Sequence, residues 1–378
     1  GIALAEQLIA RGHTCRLIVS SKKVDSRLIA KYPHLDFVSA PGVGFQWGVL
    51  KTPRFVLGQL HSILFSLKLL RRLKPAAVVG FGGFTTVGLS LAARFLRVPV
   101  FLHEANRVPG RAIRSLSGLA RCVYVPPGVS LRGLPPKRLR ECGFPLRKEM
   151  RRMPKQQARE RLGIRADGKL LLVLGGSQGA ASFNDWVASN FIRLAQDGIS
   201  VYCVTGLNKG GQGIIVKRGG DGVARRAYFS NFCDDMPALL SAADLVLSRA
   251  GAGSIAEFMR FRLPVILVPY PHAADNHQEA NADFAERQGA AVRVNARQMD
   301  RLFKEILDLV FNDWMLGKLR ENMERLDRDD PAAQINSLVQ IIRDGASKAR
   351  KPGSQLIAIN QYRLVSIDWQ QHDAIKTW

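Results

Sequence analysis

The chain has 378 residues, of which 47% are hydrophobic, with five cysteines and a formal net charge of +24. That length suits two domains with real cores, and scattered cysteines without CxxC pairs argue against a disulfide framework or a zinc site and for a reducing compartment. The sequence holds no signal-peptide pattern and no uninterrupted apolar run long enough to span a bilayer, while its charge calls for an anionic partner.

The sequence opens without Met, inside the helical pattern GIALAEQLIARG, and reads as a fragment at its N-terminus. In a parallel α/β domain a strand and a loop precede such a helix, so both are expected upstream of Gly1. Strands follow at Cys15–Val19 and Leu35–Val38, then a glycine-rich loop from Pro41 to Gly48. Phe55–Leu70 carries apolar residues at 56, 60, 63, 67 and 70, one face of a helix. Lys51 and Arg54 precede it, and Lys68, Arg71, Arg72 and Lys74 end it. Two roles fit: a helix packed on its own sheet, or a membrane-surface patch with basic residues at the headgroups. RNA-recognition and zinc-finger spacings are absent, which favours a membrane surface over nucleic acid.

A buried strand at Ala76–Gly80 runs into the turn Gly80-Phe81-Gly82-Gly83-Phe84, and another at Val98–Leu102 delivers His103-Glu104-Ala105-Asn106. In open α/β sheets ligands bind outside the carboxyl ends of strands, which makes this polar cluster a candidate contact. Cys122–Val125 and Cys142–Arg147 close a first domain over 1–147, and the charged helical stretch Lys148–Gly168 leads into a second over 148–330. Strands there are expected at 170–175, 200–205, 226–230, 245–249, 265–269 and 290–294, with helices between them. The fold class is therefore α/β, two Rossmann-like doubly wound domains facing across a cleft.

The first strand of the second domain, Leu170–Leu174, ends in Gly175-Gly176-Ser177-Gln178-Gly179 before a helix, an arrangement that gathers backbone N–H groups for an anion such as phosphate. A tight turn without ligand explains the same residues. Leu245–Arg249 leads to a further glycine turn, Ala250-Gly251-Ala252-Gly253-Ser254, and a helix bearing Glu257. Amides beside a carboxylate one turn on suit a diphosphate next to a ribose. Gln278 and Asn281, three apart at a helix start, share a face that suits hydroxyl-rich ligands. Asp234-Asp235, before Met236-Pro237, reads as a helix N-terminus rather than a metal pair. Leu302–Ile342 is helical, broken once at Pro331, with its part near 331–344 expected to pack back on the first domain. Residues 345–378 read as a flexible basic extension outside the fold.

Taken in order, GFGGF at 80–84, HEAN at 103–106, GFPLR at 143–147, GGSQG at 175–179, FCDDM at 232–236, SRAGAGSIAE at 248–257 and His277-Gln278 with Asn281-Ala282 resemble family 28 glycosyltransferases of the GT-B type, over roughly Gly1 to Gly345. The resemblance is to the peripheral membrane N-acetylglucosaminyltransferases of peptidoglycan synthesis. It implies inverting transfer of N-acetylglucosamine from UDP-N-acetylglucosamine to lipid I, giving lipid II, at the cytoplasmic face of the bacterial cell membrane. The implied partners are those two substrates, an anionic membrane surface and other cell-wall synthesis proteins, with no nucleic acid. Carried over, Asn106, Arg147, Ser177 and Gln278 contact the donor, Cys233 presents its backbone to the uracil, and Ala252, Gly253, Ser254, Ile255, Ala256 and Glu257 hold diphosphate and ribose. His103, Glu104, Gln178 and Asn281 assist. No metal and no tightly bound cofactor is implied, because Arg147 and the loop amides stabilise the departing UDP. The family's first glycine-rich loop and its proposed catalytic His are expected before Gly1, so no base is assigned.

Three other readings use the same features. The acceptor could be diacylglycerol, or the chain could bind a nucleotide sugar without turnover. A basic nucleic-acid-binding protein is the third. An NAD-dependent dehydrogenase is disfavoured, because neither GGSQGA nor GFGGFT has the G-x-G-x-x-G spacing.

Overall fold

A computed structural model describes residues 1–20, 29–41, 51–165, 168–176, 180–206, 211–327 and 356–360. Ser177, Gln178 and the helix expected near 331–344 lie outside them. The chain forms two compact units, one built on Gly1–Lys148 together with the C-terminal strand, the other on Glu149–Arg328.

The first unit contains helices α1 (Ile2–Ile9), α2 (Lys51–Leu73), α3 (Phe84–Phe95) and α4 (Arg111–Leu116). Its strands are β1 (Thr14–Ser20), β2 (Asp36–Ala40), β3 (Ala77–Gly80), β4 (Val100–His103), β5 (Cys122–Val125) and β6 (Leu139–Glu141), with β14 (Leu356–Asn360) from the far end of the chain. The sheet order is β2-β1-β14-β3-β4-β5-β6, parallel throughout.

The place of β14 corrects the expectation of a C-terminal extension outside the fold. Ile18 and Gly80 flank Asn360, and Cys15 and Ala77 flank Ile357. Ile357, Ala358 and Ile359 are fully buried. Ile357 and Ile359 join Ile2, Leu4 and Leu8 of α1 in one core layer, while Ala358 joins Val78 and Leu89 in the other. A strand covered on both faces needs a continuous apolar run, and Leu356-Ile-Ala-Ile359 is one. The run is too short to register as a period in an otherwise polar tail.

Helix α2 divides its apolar residues between two faces, with Leu70, Phe65, Leu67 and Leu69 on the core and others turned outward. Gln59, Ser62, Ser66 and Leu70 are buried, whereas Val56, Leu57, Leu60 and Leu64 are exposed. The cause is close packing on α3: a Cβ on Gly88 would lie 2.4 Å from Ser62 Oγ. Small side chains let these two helices approach, and Val56, Leu57, Leu60 and Leu64 face away.

In the second unit, helix α5 (Lys155–Arg161) precedes β7 (Lys169–Leu174), α6 (Ala181–Gln196), β8 (Ile199–Val204), β9 (Gly213–Arg218) and β10 (Ala224–Ser230). Then come α7 (Met236–Ala242), β11 (Leu245–Ser248), α8 (Ala252–Phe261), β12 (Val265–Leu267), α9 (His277–Arg287), β13 (Val292–Arg293), α10 (Leu302–Val310) and α11 (Asp313–Leu326). The sheet order is β13-β12-β11-β7-β8-β10-β9. All its pairs are parallel except β9 with β10. A helix was expected between β8 and β10; the described part of that connection is instead an exposed edge strand. Three consecutive β-branched residues, Ile214-Ile215-Val216, bounded by glycine turns, favour the strand. The long C-terminal helix breaks at Asn312, whose side chain accepts the Met315 amide at 3.0 Å and caps a new helix; Pro331, where a break was expected, lies outside the described residues.

Candidate functional site

The polar motifs gather at the carboxyl ends of the parallel strands in each unit. In the second unit β7 ends at Gly175-Gly176, and Gly176 has φ +83°, which glycine adopts without strain. Beyond β11, Gly251 is the N-cap of α8. Ile255 N donates to Gly251 O at 3.0 Å, so the amides of Ala252, Gly253 and Ser254 form the first turn, whose donors helix geometry leaves without an intrahelical acceptor. Those amides and the helix dipole place partial positive charge at this point. Glu257 is half-buried on the same helix, one turn further on.

Helix α9 braces this edge. Gln278 and Asn281 are both buried on it. Gln278 Oε1 accepts the Tyr270 amide at 3.0 Å, and Asn281 Nδ2 donates to Ala250 O at 3.1 Å. Their shared face is as expected, but each amide spends one group on a loop. For Gln278 this leaves the Nε2 amine as the group that can meet a hydroxyl.

Arg249, quoted in the sequence motif without a role, ties the ends of β11 and β12 to the start of α6. Its Nη1 donates to Val268 O at 3.1 Å and its Nη2 to Ser182 Oγ at 3.0 Å. The guanidinium also lies over the Phe183 ring, 4.5 Å from its centre. Spacing alone gives no sign of these contacts, which join residues 19 and 67 positions apart. Cys233 is buried between β10 and α7, and Asp235 caps α7 by accepting the Ala238 amide at 3.1 Å, the helix-start role expected of that acidic pair.

In the first unit, the turn after β3 needs its glycines. Gly82 and Gly83 have φ +85° and +77°, and a Cβ on Gly80 would lie 2.5 Å from Thr86 Cγ2. An apolar pocket beside this turn is lined by Leu4, Val79, Phe81, His103, Tyr124 and Pro145. His103 is buried, with Nδ1 lacking a hydrogen-bond partner and Nε2 3.5 Å from Gly143 O. Burial pushes its pKa down to about 4, so the ring is neutral near pH 7.

Glu104 is placed as a brace. Its Oε1 accepts the amides of Ala105 at 2.8 Å and Asn106 at 2.9 Å, and Asn106 Nδ2 at 3.0 Å. Its Oε2 accepts the Gly110 amide at 2.7 Å. Arg147 Nη1 donates to Tyr32 Oη at 2.8 Å. The first unit thus gathers His103, Glu104, Asn106 and the Gly143–Arg147 segment, and the second gathers Arg249, Ala252 to Glu257, Gln278 and Asn281. Among the described residues no cluster of three His, Cys, Asp or Glu is placed to hold a metal.

Comparison with known proteins covers both units. Residues 1–125 match the glycosyltransferase family 28 N-terminal domain and residues 170–334 the family 28 C-terminal domain. The UDP-N-acetylglucosamine–N-acetylmuramyl-(pentapeptide) pyrophosphoryl-undecaprenol N-acetylglucosamine transferase of Opitutus terrae is 51% identical over 94% of this chain and 92% of its own length. The enzyme of the same name from Prochlorococcus marinus is 33% identical over 90% of this chain and 94% of its own. Among solved structures, MurG of Acinetobacter baumannii aligns with TM-score 0.62 at 22% identity, over 90% of this chain and 94% of its own.

Proposed function

This chain belongs to glycosyltransferase family 28, and from that premise we propose that it transfers N-acetylglucosamine from UDP-N-acetylglucosamine to lipid I, forming lipid II with inversion. The observation that carries this reading is the 51% identity to the Opitutus terrae transferase over nearly the whole chain. The sites fit the chemistry. In the second unit the amides of Ala252, Gly253 and Ser254 receive the diphosphate, Glu257 accepts the ribose hydroxyls and the Cys233 backbone meets the uracil. Gln278 Nε2 donates to a sugar hydroxyl, and Ile255 and Ala256 complete the helix turn beneath the ligand. In the first unit, Asn106 and Arg147 are the residues the family resemblance assigns to the donor. In the second unit, positive charge from the helix end stabilises UDP as it leaves, so the reaction needs no tightly bound cofactor.

The acceptor carries a lipid chain, and α2 offers a surface for its membrane. Leu57 and Leu64 are each 66% exposed, and Phe95 on the adjoining α3 is 71% exposed. Lys68, Arg71, Arg72, Lys74, Arg94 and Arg97 are exposed around them. Apolar residues ringed by cations bind an anionic headgroup layer peripherally. Among the described residues no helix is long and apolar enough to cross a membrane. With a lipid-linked acceptor and this cation-flanked apolar surface, our reading puts the enzyme at the cytoplasmic face of the cell membrane, with other cell-wall synthesis proteins as partners.

Calorimetric titration tests the donor site. Saturable binding of UDP and UDP-N-acetylglucosamine, absent for NAD and weakened about tenfold or more by Glu257→Ala, supports the reading. Equal binding of all three ligands, or an unaffected Glu257→Ala variant, contradicts it.

A further inference from the structure

We propose that strand β9 is a docking edge for an extended, acidic segment of a partner protein, which adds to the second sheet as a further strand. The proposal goes beyond the transfer reaction and does not depend on it.

Strand β9 ends the sheet and is paired on one side only, with β10. The ladder between them runs through six consecutive pairs, from Gly213 with Phe229 to Arg218 with Ala224, without a bulge. The hairpin is braced behind that edge. Gly219 N donates to Val223 O at 2.8 Å, and the buried Arg225 pairs with Asp221 at 2.6 Å. Tyr228 stacks on Tyr202 of β8, and its hydroxyl accepts the Arg165 amide at 2.8 Å. The outer edge is thus a regular row of backbone N–H and C=O groups that meets no further strand among the described residues.

Proteins commonly blunt such an edge with a central charge, a proline or a bulge. The middle of β9 has none of these. Ile214, Ile215 and Val216 stand there, 60%, 42% and 53% exposed, and β-branched residues suit a pleated surface that another strand covers. The charge lies at one end. Lys217 and Arg218 are exposed, and neither has a carboxylate partner among the described residues. Lys217 faces Arg225 across the ladder, and Asp221, the one carboxylate within residues 213–230, is already spent on Arg225. Because side chains alternate, Ile215 and Lys217 lie on one face and Ile214, Val216 and Arg218 on the other. An added strand therefore meets apolar side chains and then a cation on each face. Carboxylates opposite those cations, and β-branched residues opposite the triplet, complete the match. A second copy of this chain fits worse. Pairing β9 with itself joins two chains of net charge +24 and brings more cations to an edge that lacks anions.

The test uses the full chain and a short synthetic peptide of alternating valine and glutamate, followed by fluorescence anisotropy. This peptide should bind saturably, and a valine–lysine peptide should bind at least about tenfold more weakly. Lys217→Glu with Arg218→Glu should weaken the acidic peptide about tenfold or more, while the unfolding midpoint holds because both side chains are exposed. Charge alone would produce those results, so the ladder is tested separately. A fully N-methylated valine–glutamate peptide keeps its charges but loses its N–H donors, and it should not bind. In hydrogen exchange the unmodified peptide should protect alternate amides of β9, since only every second residue turns its N–H outward. Absence of saturable binding, equal binding of the lysine or N-methylated peptide, or a lack of alternating protection overturns the proposal. So does protection of the same amides without peptide as protein concentration rises, which would make the occupant a second copy.

Discussion

Asn281 Nδ2 donates to the carbonyl of Ala250 at 3.1 Å, a bond between residues 31 positions apart that joins the middle of α9 to the turn opening α8. Both ends are buried, so the turn that presents the amides of Ala252, Gly253 and Ser254 is held from behind by a side-chain amide. Asn281 supports the turn we propose for the diphosphate without needing to touch the ligand.

Asn281→Ala leaves the Ala250 carbonyl buried without this donor. Chemical denaturation should show a loss of about 1–3 kcal/mol, and kcat/KM for the donor should fall about tenfold to a hundredfold as the turn shifts. Asn281→Asp should behave no better, because a carboxylate cannot donate. Wild-type kinetics in either variant would place the turn's support elsewhere.

His103 makes stability depend on pH. Its folded pKa, about 4, lies below the ordinary 6.5, so the unfolded chain binds the proton more readily. The contribution of the neutral buried ring is complete above pH 6.5 and is lost as pH falls from 6.5 toward 4. Its size is on the order of 3 kcal/mol. Denaturation midpoints measured across that window should fall for the parent chain and stay flatter in His103→Gln. Parallel curves would show that another group titrates.

The outward face of α2 predicts a separation of binding from folding. Leu57→Asp with Leu64→Asp should reduce binding to phosphatidylglycerol vesicles by about tenfold or more in a sedimentation assay. Unfolding free energy should move by less than about 0.5 kcal/mol, since both side chains are exposed. Undiminished vesicle binding would assign the membrane contact to other residues.

Strand β14 predicts the opposite pattern. Ile357 is fully buried between β1 and β3, so Ile357→Asp places a carboxylate in an apolar core. The first unit should lose about 4 kcal/mol or more, seen by hydrogen exchange in β1 and β3. Unchanged protection of those strands would mean that Ile357 does not fill this slot.

The order of strands and turns was legible where local pattern and tertiary environment agree. Leu170–Leu174 is a continuous apolar run and Leu170 to Leu174 form the buried part of β7; Val246 and Leu247 behave alike. Legibility ended where a distant partner decides. The apolar positions of α2 mark a helix correctly, yet which face is buried follows from Gly88 on another helix. The β8–β10 connection is long enough for a helix, and only its β-branched triplet signals the edge strand. Leu356–Asn360 is five residues in a polar tail, and its strand state comes from two neighbours far away in sequence. At the sites, residue types announced Glu104 as a polar group at a strand end and Gln278 and Asn281 as polar groups at a helix start. Their partners are loop amides and carbonyls, which no residue type encodes, and Arg249 shows the same limit.

Transfer to the lipid acceptor tests the account most directly. The full chain, mixed with radiolabelled UDP-N-acetylglucosamine and a short-chain lipid I analogue, should release UDP and move label into the disaccharide product only when both are present. Diacylglycerol should receive none. Label on diacylglycerol, or none on the lipid I analogue from a folded chain that binds UDP-N-acetylglucosamine, would contradict it.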